Sequence, residues 1–494
     1  MSKATASPRS NVARSALQTA LSLATATALA AVVGIVIARK FGRGADTDGF
    51  FAAYGLFIVL VLAATAFRAV ALPALARAHG ERRLAAETVT WAIAMAAIAL
   101  PALLLSTLAA HTVAGWLTGS LPQEAADTAA DVLPWMIPAA VAQLYAALAA
   151  SALAATDDYG TAAAGFAAGS IAGLVLILLR VEPDGIIALA WGMALNGAVA
   201  LAVPLLALAL RGRPRGLAPG VREIGARFGE FARGVTLPLV LQMLYVVCVR
   251  FAADIGVGAV TSFSYAYLIA SSLVAVTASS LALVSSVPLT RLGLGEGRAA
   301  RHVVSTSWLA LAVVAGAAGV FALAGEHVAR SVLGSAYSGE TGAELGLLVV
   351  YLGPWMVASV GVSTTFPLLY VADRARGLPL LSLGALVVAV PLVWAGERLF
   401  GLEGIAVALA AVTACVLAGL LLLVSGGALV RVARGLGSAS LWSGGLAAVS
   451  FALVALVLDP ILAALTGLAG YVALLAALRP AGLRQAWSYL RALG

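Results

Sequence analysis

Hydrophobic residues in this chain come in long unbroken runs. They show neither the spacing of an amphipathic surface helix nor the alternation of a half-buried strand. Runs of roughly 20 apolar residues, the length that crosses a bilayer as a helix, recur fourteen times. The first six lie near 15–38, 49–76, 88–110, 132–155, 160–179 and 185–210. Six more lie near 232–252, 258–290, 303–325, 345–372, 377–396 and 403–428. A last pair, 440–457 and 461–478, is divided by Asp459 and Pro460 and reads as a hairpin. Lys3, Arg9 and Arg14 precede the first run as they would precede a secretory signal, but 15–38 is too long for a signal core. A retained first helix is expected.

The polar positions between runs carry a second pattern. With the amino terminus inside, the cytoplasmic connections hold 22 of the 30 Lys and Arg residues, the outer ones seven, and one, Arg68, falls within a run. That asymmetry is how basic residues orient a polytopic protein. It alternates correctly along the whole chain, so an even number of spans and two cytoplasmic termini are expected. Composition agrees: 62% of residues are hydrophobic and only 11% charged, against roughly 25% charged in a soluble protein. The net charge of +8 therefore reads as topology, and no nucleic-acid partner is expected. Cys248 and Cys415 lie in separate apolar runs and build neither a disulfide framework nor a zinc site.

An internal repeat divides the chain. Pro73 is followed by Glu81 and Arg83, and Pro288 at the same distances by Glu296 and Arg298. An aromatic cluster (Phe50, Phe51, Tyr54) precedes the first proline and another (Phe263, Tyr265, Tyr267) the second. Pro134-Trp135-Met136 recurs as Pro354-Trp355-Met356. Two copies of six helices have the same orientation in the membrane. The expected fold is thus an all-α polytopic membrane protein of about fourteen transmembrane helices. Two six-helix lobes (helices 1–6 and 7–12) form a pseudo-twofold repeat, followed by a C-terminal helical hairpin. The expected segments are a first lobe over 1–210, an Arg-rich cytoplasmic linker over 211–231, a second lobe over 232–428, and two extra helices with a cytoplasmic tail over 429–494.

Paired six-helix bundles facing a shared cleft suit alternating access. ATP is excluded as the driving force: no G-x-x-x-x-G-K-[ST] loop exists, and the only lysines are Lys3 and Lys40. No enzyme motif is present, and His79, His111, His302 and His327 form no metal cluster by spacing. No cofactor is expected; coupling to membrane potential, protons or sodium stays open. Arg68 is the sharpest candidate for chemistry, because an ionisable group at membrane depth is costly. Its planar fork suits a phosphate, and the competing reading is snorkelling to the cytoplasmic headgroups. Arg250 and Asp254 are spaced as an i,i+4 pair. Asn196, Gln143 and Gln242 read first as interhelical glue, Trp135 and Trp355 as interfacial anchors.

Ile37-Ala38-Arg39-Lys40-Phe41-Gly42 followed by Asp46-Thr47-Asp48-Gly49-Phe50-Phe51-Ala52-Ala53-Tyr54 resembles the opening of the MurJ/MviN-type lipid-linked precursor flippases, where A-R-x-F-G precedes T-D-A-F-F. Ala66-Phe67, Leu72-Pro73 and Ser264-Tyr265-Ala266 continue the likeness. The wider group is the multidrug/oligosaccharidyl-lipid/polysaccharide exporter superfamily. The resemblance implies two six-helix lobes, two further C-terminal helices, and a cationic cavity for a lipid pyrophosphate. Arg39 and Asp48 match family positions near the outer end of that cavity. The family's first-helix arginines are replaced by Thr25-Ala26-Thr27-Ala28 and Val32-Val33-Gly34, and its Asp-Arg in helix 8 by Tyr267-Leu268. The candidate cleft residues are Arg68, Arg39, Asp48, Tyr54, Asn196, Gln242, Arg250 and Tyr267. The expected function is a flippase moving a lipid-linked cell-envelope glycan precursor from inner to outer leaflet of a bacterial cytoplasmic membrane. The alternatives are a cation-coupled multidrug or small-amphiphile exporter and a transport-inactive envelope-assembly scaffold. Expected partners are that glycan lipid or another amphiphile and the bilayer lipids, with the chain a monomer and association with envelope-synthesis proteins open.

Overall fold

The structure, a computed structural model, describes residues 29, 31–211, 220–279, 296–371 and 374–493. Most of the first expected run, part of the Arg-rich connection and the stretch around Pro288 lie outside the described residues. So do Glu296 and Arg298 as side chains. All regular structure in the described residues is helical, as an all-α polytopic membrane protein requires when no water satisfies the backbone. The chain forms two compact units, Met1–Val246 and Val247–Gly494.

Unit 1 begins with a short helix α1 over 31–41. Then follow α2 (Ala45–Gly80), α3 (Leu84–Leu108), the short α4 (Ala110–Thr118), α5 (Gln123–Ala154), α6 (Tyr159–Asp184) and α7 (Ile187–Leu210). The unit ends inside α8 (Val221–Ala252), beyond the connection at 211–231. Alanine-rich α5 is buried on nearly every side and is the hub of the unit. Its small side chains let neighbours approach to backbone contact: a Cβ on Gly49 of α2 would stand 2.1 Å from the Ala125 carbonyl oxygen. In lipid such contacts are held by van der Waals packing and interhelical hydrogen bonds, with little hydrophobic drive. Helices α6 and α7 use the same device. Gly169 and Gly173, one turn apart on α6, face Asn196 and Gly192 of α7 at distances that leave no room for a Cβ. In the second half of α2, Phe67 packs edge-on against Trp91 of α3 and Phe231 of α8.

Unit 2 contains α9 (Ala259–Val274), continued by a π-helical turn Ala275–Ser279. Next come α10 (Glu296–Leu333), α11 (Glu340–Tyr351), α12 (Gly353–Val371), α13 (Leu378–Val424), α14 (Gly426–Ala455), α15 (Pro460–Leu478) and α16 (Ala481–Leu493). The tenth expected span is broken: α11 and α12 meet at a 41° bend. The eleventh and twelfth runs appear as one helix, α13, but it folds back on itself. Phe400 leaves helical geometry and Gly401 takes φ 58°, ψ −134°, a region that only glycine enters without strain. The two arms then touch along their length, with Gly404 against the Gly396 carbonyl and Leu381 over Gly419. Among the described residues, eleven helices are long and apolar enough to span, or twelve with the bent pair counted as one. Separating the two arms of α13 accounts for the eleventh and twelfth expected runs, and the first expected run lies mostly outside the described residues.

Candidate functional site

Arg68 lies in the second half of α2, nine residues before Arg77 of the last turn, or about 13 Å farther from that end along a helix rising 1.5 Å per residue. Its chain neighbour Phe67 is locked in the Trp91–Phe231 cluster, which fixes the rotation of α2 at this level. The Arg68 side chain is half-buried and makes no hydrogen bond or ion pair among the described residues. Pro73, five residues on, cannot donate to the Ala69 carbonyl. A guanidinium and a carbonyl relieved of its helical bond therefore occupy adjacent residues in an apolar setting. Five N–H donors in a fixed fork, with no acceptor among the described residues, suit an anionic oxygen from outside the chain.

The residues expected near the outer end of the site have definite places. Asp46 and Asp48 open α2, where the helix N-terminus favours negative charge. Asp46 accepts a hydrogen bond from Thr128 Oγ1 of α5 at 2.8 Å. Asp48 and the adjacent Thr47 are fully buried, and Asp48 is partnered. The T-D-G-F-F stretch thus joins α2 to α5. Arg39 is exposed and partnered, while its neighbour Lys40 forms an ion pair with Glu182 at the end of α6. Tyr54 stacks between Phe50 (6.1 Å) and Phe57 (5.6 Å) on one side of α2. None of these residues is brought to Arg68 by a hydrogen bond or ion pair.

Asn196 sits in the α6–α7 contact, its backbone and side-chain oxygens both against Gly169. Gln242 is buried within α8. In unit 2, Arg250 Nη1 meets Asp254 at 2.8 Å, the expected i,i+4 pair. Tyr267 is buried, its ring 4.9 Å from Trp355 and stacked on Phe263 at 6.4 Å. The two Pro-Trp steps of the repeat behave differently. Trp135 is 47% exposed and lies edge-on to Trp191, as an interfacial anchor would. Trp355, expected to do the same, is buried, because it follows the break between α11 and α12 and turns onto α9.

Local spacing in the sequence does not reveal a charged clasp between α8 and α3 of unit 1. Arg227 of α8 meets Glu87 of α3 at 2.6 Å and Glu230 at 2.7 Å, and its guanidinium lies 5.6 Å over the Trp91 ring. Only the Arg227–Glu230 spacing was visible in the sequence; Glu87 and Trp91 come from another helix. A second clasp joins Arg211 to Asp158, with Arg211 Nη1 donating to Thr156 Oγ1 at 2.7 Å. Asp158 caps α6 through the Thr161 backbone N–H (3.0 Å) and hydroxyl (2.8 Å). Partial burial disfavours its charge, but these bonds and the Arg211 cation outweigh that and hold its carboxyl below the usual 3.8.

No curated protein matches this chain. Among solved structures, a lipid II flippase MurJ in an inward closed conformation superposes with a TM-score of 0.75 at 14% identity, covering 94% of this chain and 98% of its own. An inward-facing multidrug-resistance MATE family transporter of the MOP superfamily gives a TM-score of 0.62 at 14% identity, covering 84% and 94%. A MOP superfamily transporter from Pyrococcus furiosus gives 0.57 at 14% identity, covering 88% and 97%. Identities this low establish a shared fold. The sequence itself matches the family model described as lipid II flippase MurJ over residues 37–458. With the motif at 37–54 inside that match, which spans most of the chain, the chain belongs to the MurJ lipid II flippase family.

Proposed function

We propose that this protein flips a lipid-linked cell-envelope glycan precursor of the lipid II class from the inner to the outer leaflet, its repeated lobes alternating access. The observation that carries the reading is the family match across residues 37–458. The cargo's bonds stay intact, so no catalytic group is called for; the chain need only bind, shield and release. Arg68 is proposed to meet the pyrophosphate of the passing headgroup, where two parallel N–H···O bonds replace part of its hydration. We place the protein in the bacterial cytoplasmic membrane with both termini inside, as a monomer coupled to membrane potential or an ion gradient.

A cation-coupled drug exporter would share this fold, as the MATE likeness illustrates. Such a carrier is expected to hold a carboxylate at mid-membrane for its cation. Among the described residues, the carboxylates of the long helices cluster toward their ends or toward the Phe400–Gly401 turn, which favours the glycan-lipid reading. Reconstituted proteoliposomes test both. Wild type should accelerate movement of a fluorescent lipid II analogue. Arg68→Ala should slow it roughly 10- to 100-fold, the worth of a charge-assisted hydrogen bond pair, with Arg68→Lys intermediate. Movement of cationic drugs alone, under a proton or sodium gradient, would overturn the proposal. Equal rates for Arg68→Ala and wild type would remove Arg68 from the site.

A further inference from the structure

The helix α16, 13 residues long, is not among the helices long and apolar enough to span, and its two sides differ sharply. Its inward side is packed on unit 2. Gly482 lies against the Trp308 indole of α10, where a Cβ would come within 2.2 Å of Nε1. Ala486 is wholly buried, and the Tyr489 hydroxyl is 3.2 Å from His302 Nδ1, also on α10. The spacing 482, 486, 489 is one helical face. The outward side carries Arg484, Gln485, Trp487 and Ser488, with Trp487 53% exposed.

Charge is equally one-sided. From Gly426 to the end of α16 the chain has five arginines and a single acid, Asp459. That acid caps the opposite end of α15. Within this segment, the end of α15 where α16 begins therefore carries basic residues and no acid. Arg301 of α10 adds to them, close enough for its charge to act on the Tyr489 phenol, which burial otherwise pushes upward. Arg479 takes φ 42° and turns the chain sharply between α15 and α16. α16 thus starts within two residues of the end of a membrane span, at headgroup level. A short amphipathic helix there, basic and bearing an exposed tryptophan, fits an acidic lipid surface.

We propose that α16 is an anionic-lipid anchor: its Arg484–Trp487 face lies in the cytoplasmic headgroup layer and binds acidic phospholipid, while its other face steadies the inner end of α10. The full chain with Cys415→Ser and Ser488→Cys, labelled with an environment-sensitive dye, is reconstituted in phosphatidylcholine vesicles with and without phosphatidylglycerol. The dye should shift to the blue and resist iodide quenching when phosphatidylglycerol is present. High salt should weaken that protection, because it screens surface charge within a few ångströms. Removing two basic residues by Arg484→Gln with Arg491→Gln should lower the apparent affinity for phosphatidylglycerol roughly thirty-fold. Identical emission in the two lipids would overturn the proposal, as would indifference to salt and to both arginines. The wild-type comparison between lipids stands even if the double variant folds poorly. Labelling of Ser488→Cys by an impermeant reagent from the outer face of intact cells would overturn the cytoplasmic placement, leaving the cargo reading to be judged by its own transport assay.

Discussion

Gly49 interrupts the T-D-G-F-F stretch at the point where α2 touches the Ala125 carbonyl of α5. The obstacle to a side chain there is backbone on a fully packed helix, so neither partner can yield by changing rotamer. Gly49→Ala should cost about 1–3 kcal/mol or more from overpacking, read as a lower melting temperature of the purified protein in detergent. The sequence marks this stretch as the edge of a cavity; the structure gives Gly49 and Asp46 the task of joining two helices. Arg68 was legible for a simple reason: a charge inside an apolar run stands out without any structure. Arg227 was not, because its worth comes from Glu87 and Trp91, which no local spacing connects to it. Asn196 shows the intermediate case, a polar residue visible in the sequence whose glycine partners could be named only from the α6–α7 packing.

At the scale of elements, run lengths revealed nearly every span but none of its bends. The hairpin in α13 turns on one glycine at positive φ, and the break between α11 and α12 shows in the sequence only as a Gly-Pro step. Backbone geometry at single residues is invisible to hydropathy, which averages over a window. Caps are similarly local. Asp158 holds the start of α6 and, through Arg211, the end of α7. Because its folded-state carboxyl is held below the usual 3.8, its contribution to stability is fully present above that value. It is lost as pH falls through the lower folded value and the carboxylate takes up a proton. Asp158→Asn should therefore lower the melting temperature near neutral pH, and the gap from wild type should close as the buffer is taken below pH 3.8. A gap that stayed constant down to strong acid would mean that the carboxylate charge contributes nothing.

For the molecule as a whole, the distribution of charge matters more than its sum. The 22 basic residues assigned to the cytoplasmic connections predict which way the chain inserts, and with it the direction in which a cargo gains access. Arg68 is left as a cation that topology does not explain. Two positions on opposite sides of α3 separate the possible orientations: Glu81, exposed in the turn before it, and His111, exposed on α4 just after it. In a Cys415→Ser background, with Cys248 buried, Glu81→Cys and His111→Cys each present one accessible thiol. An impermeant maleimide added to intact cells should label His111→Cys, and should reach Glu81→Cys only after the membrane is opened. The reverse pattern would invert every assigned connection at once, since the spans alternate. It would place the Arg227 and Asp158 clasps outside, where the excess of arginine would oppose insertion.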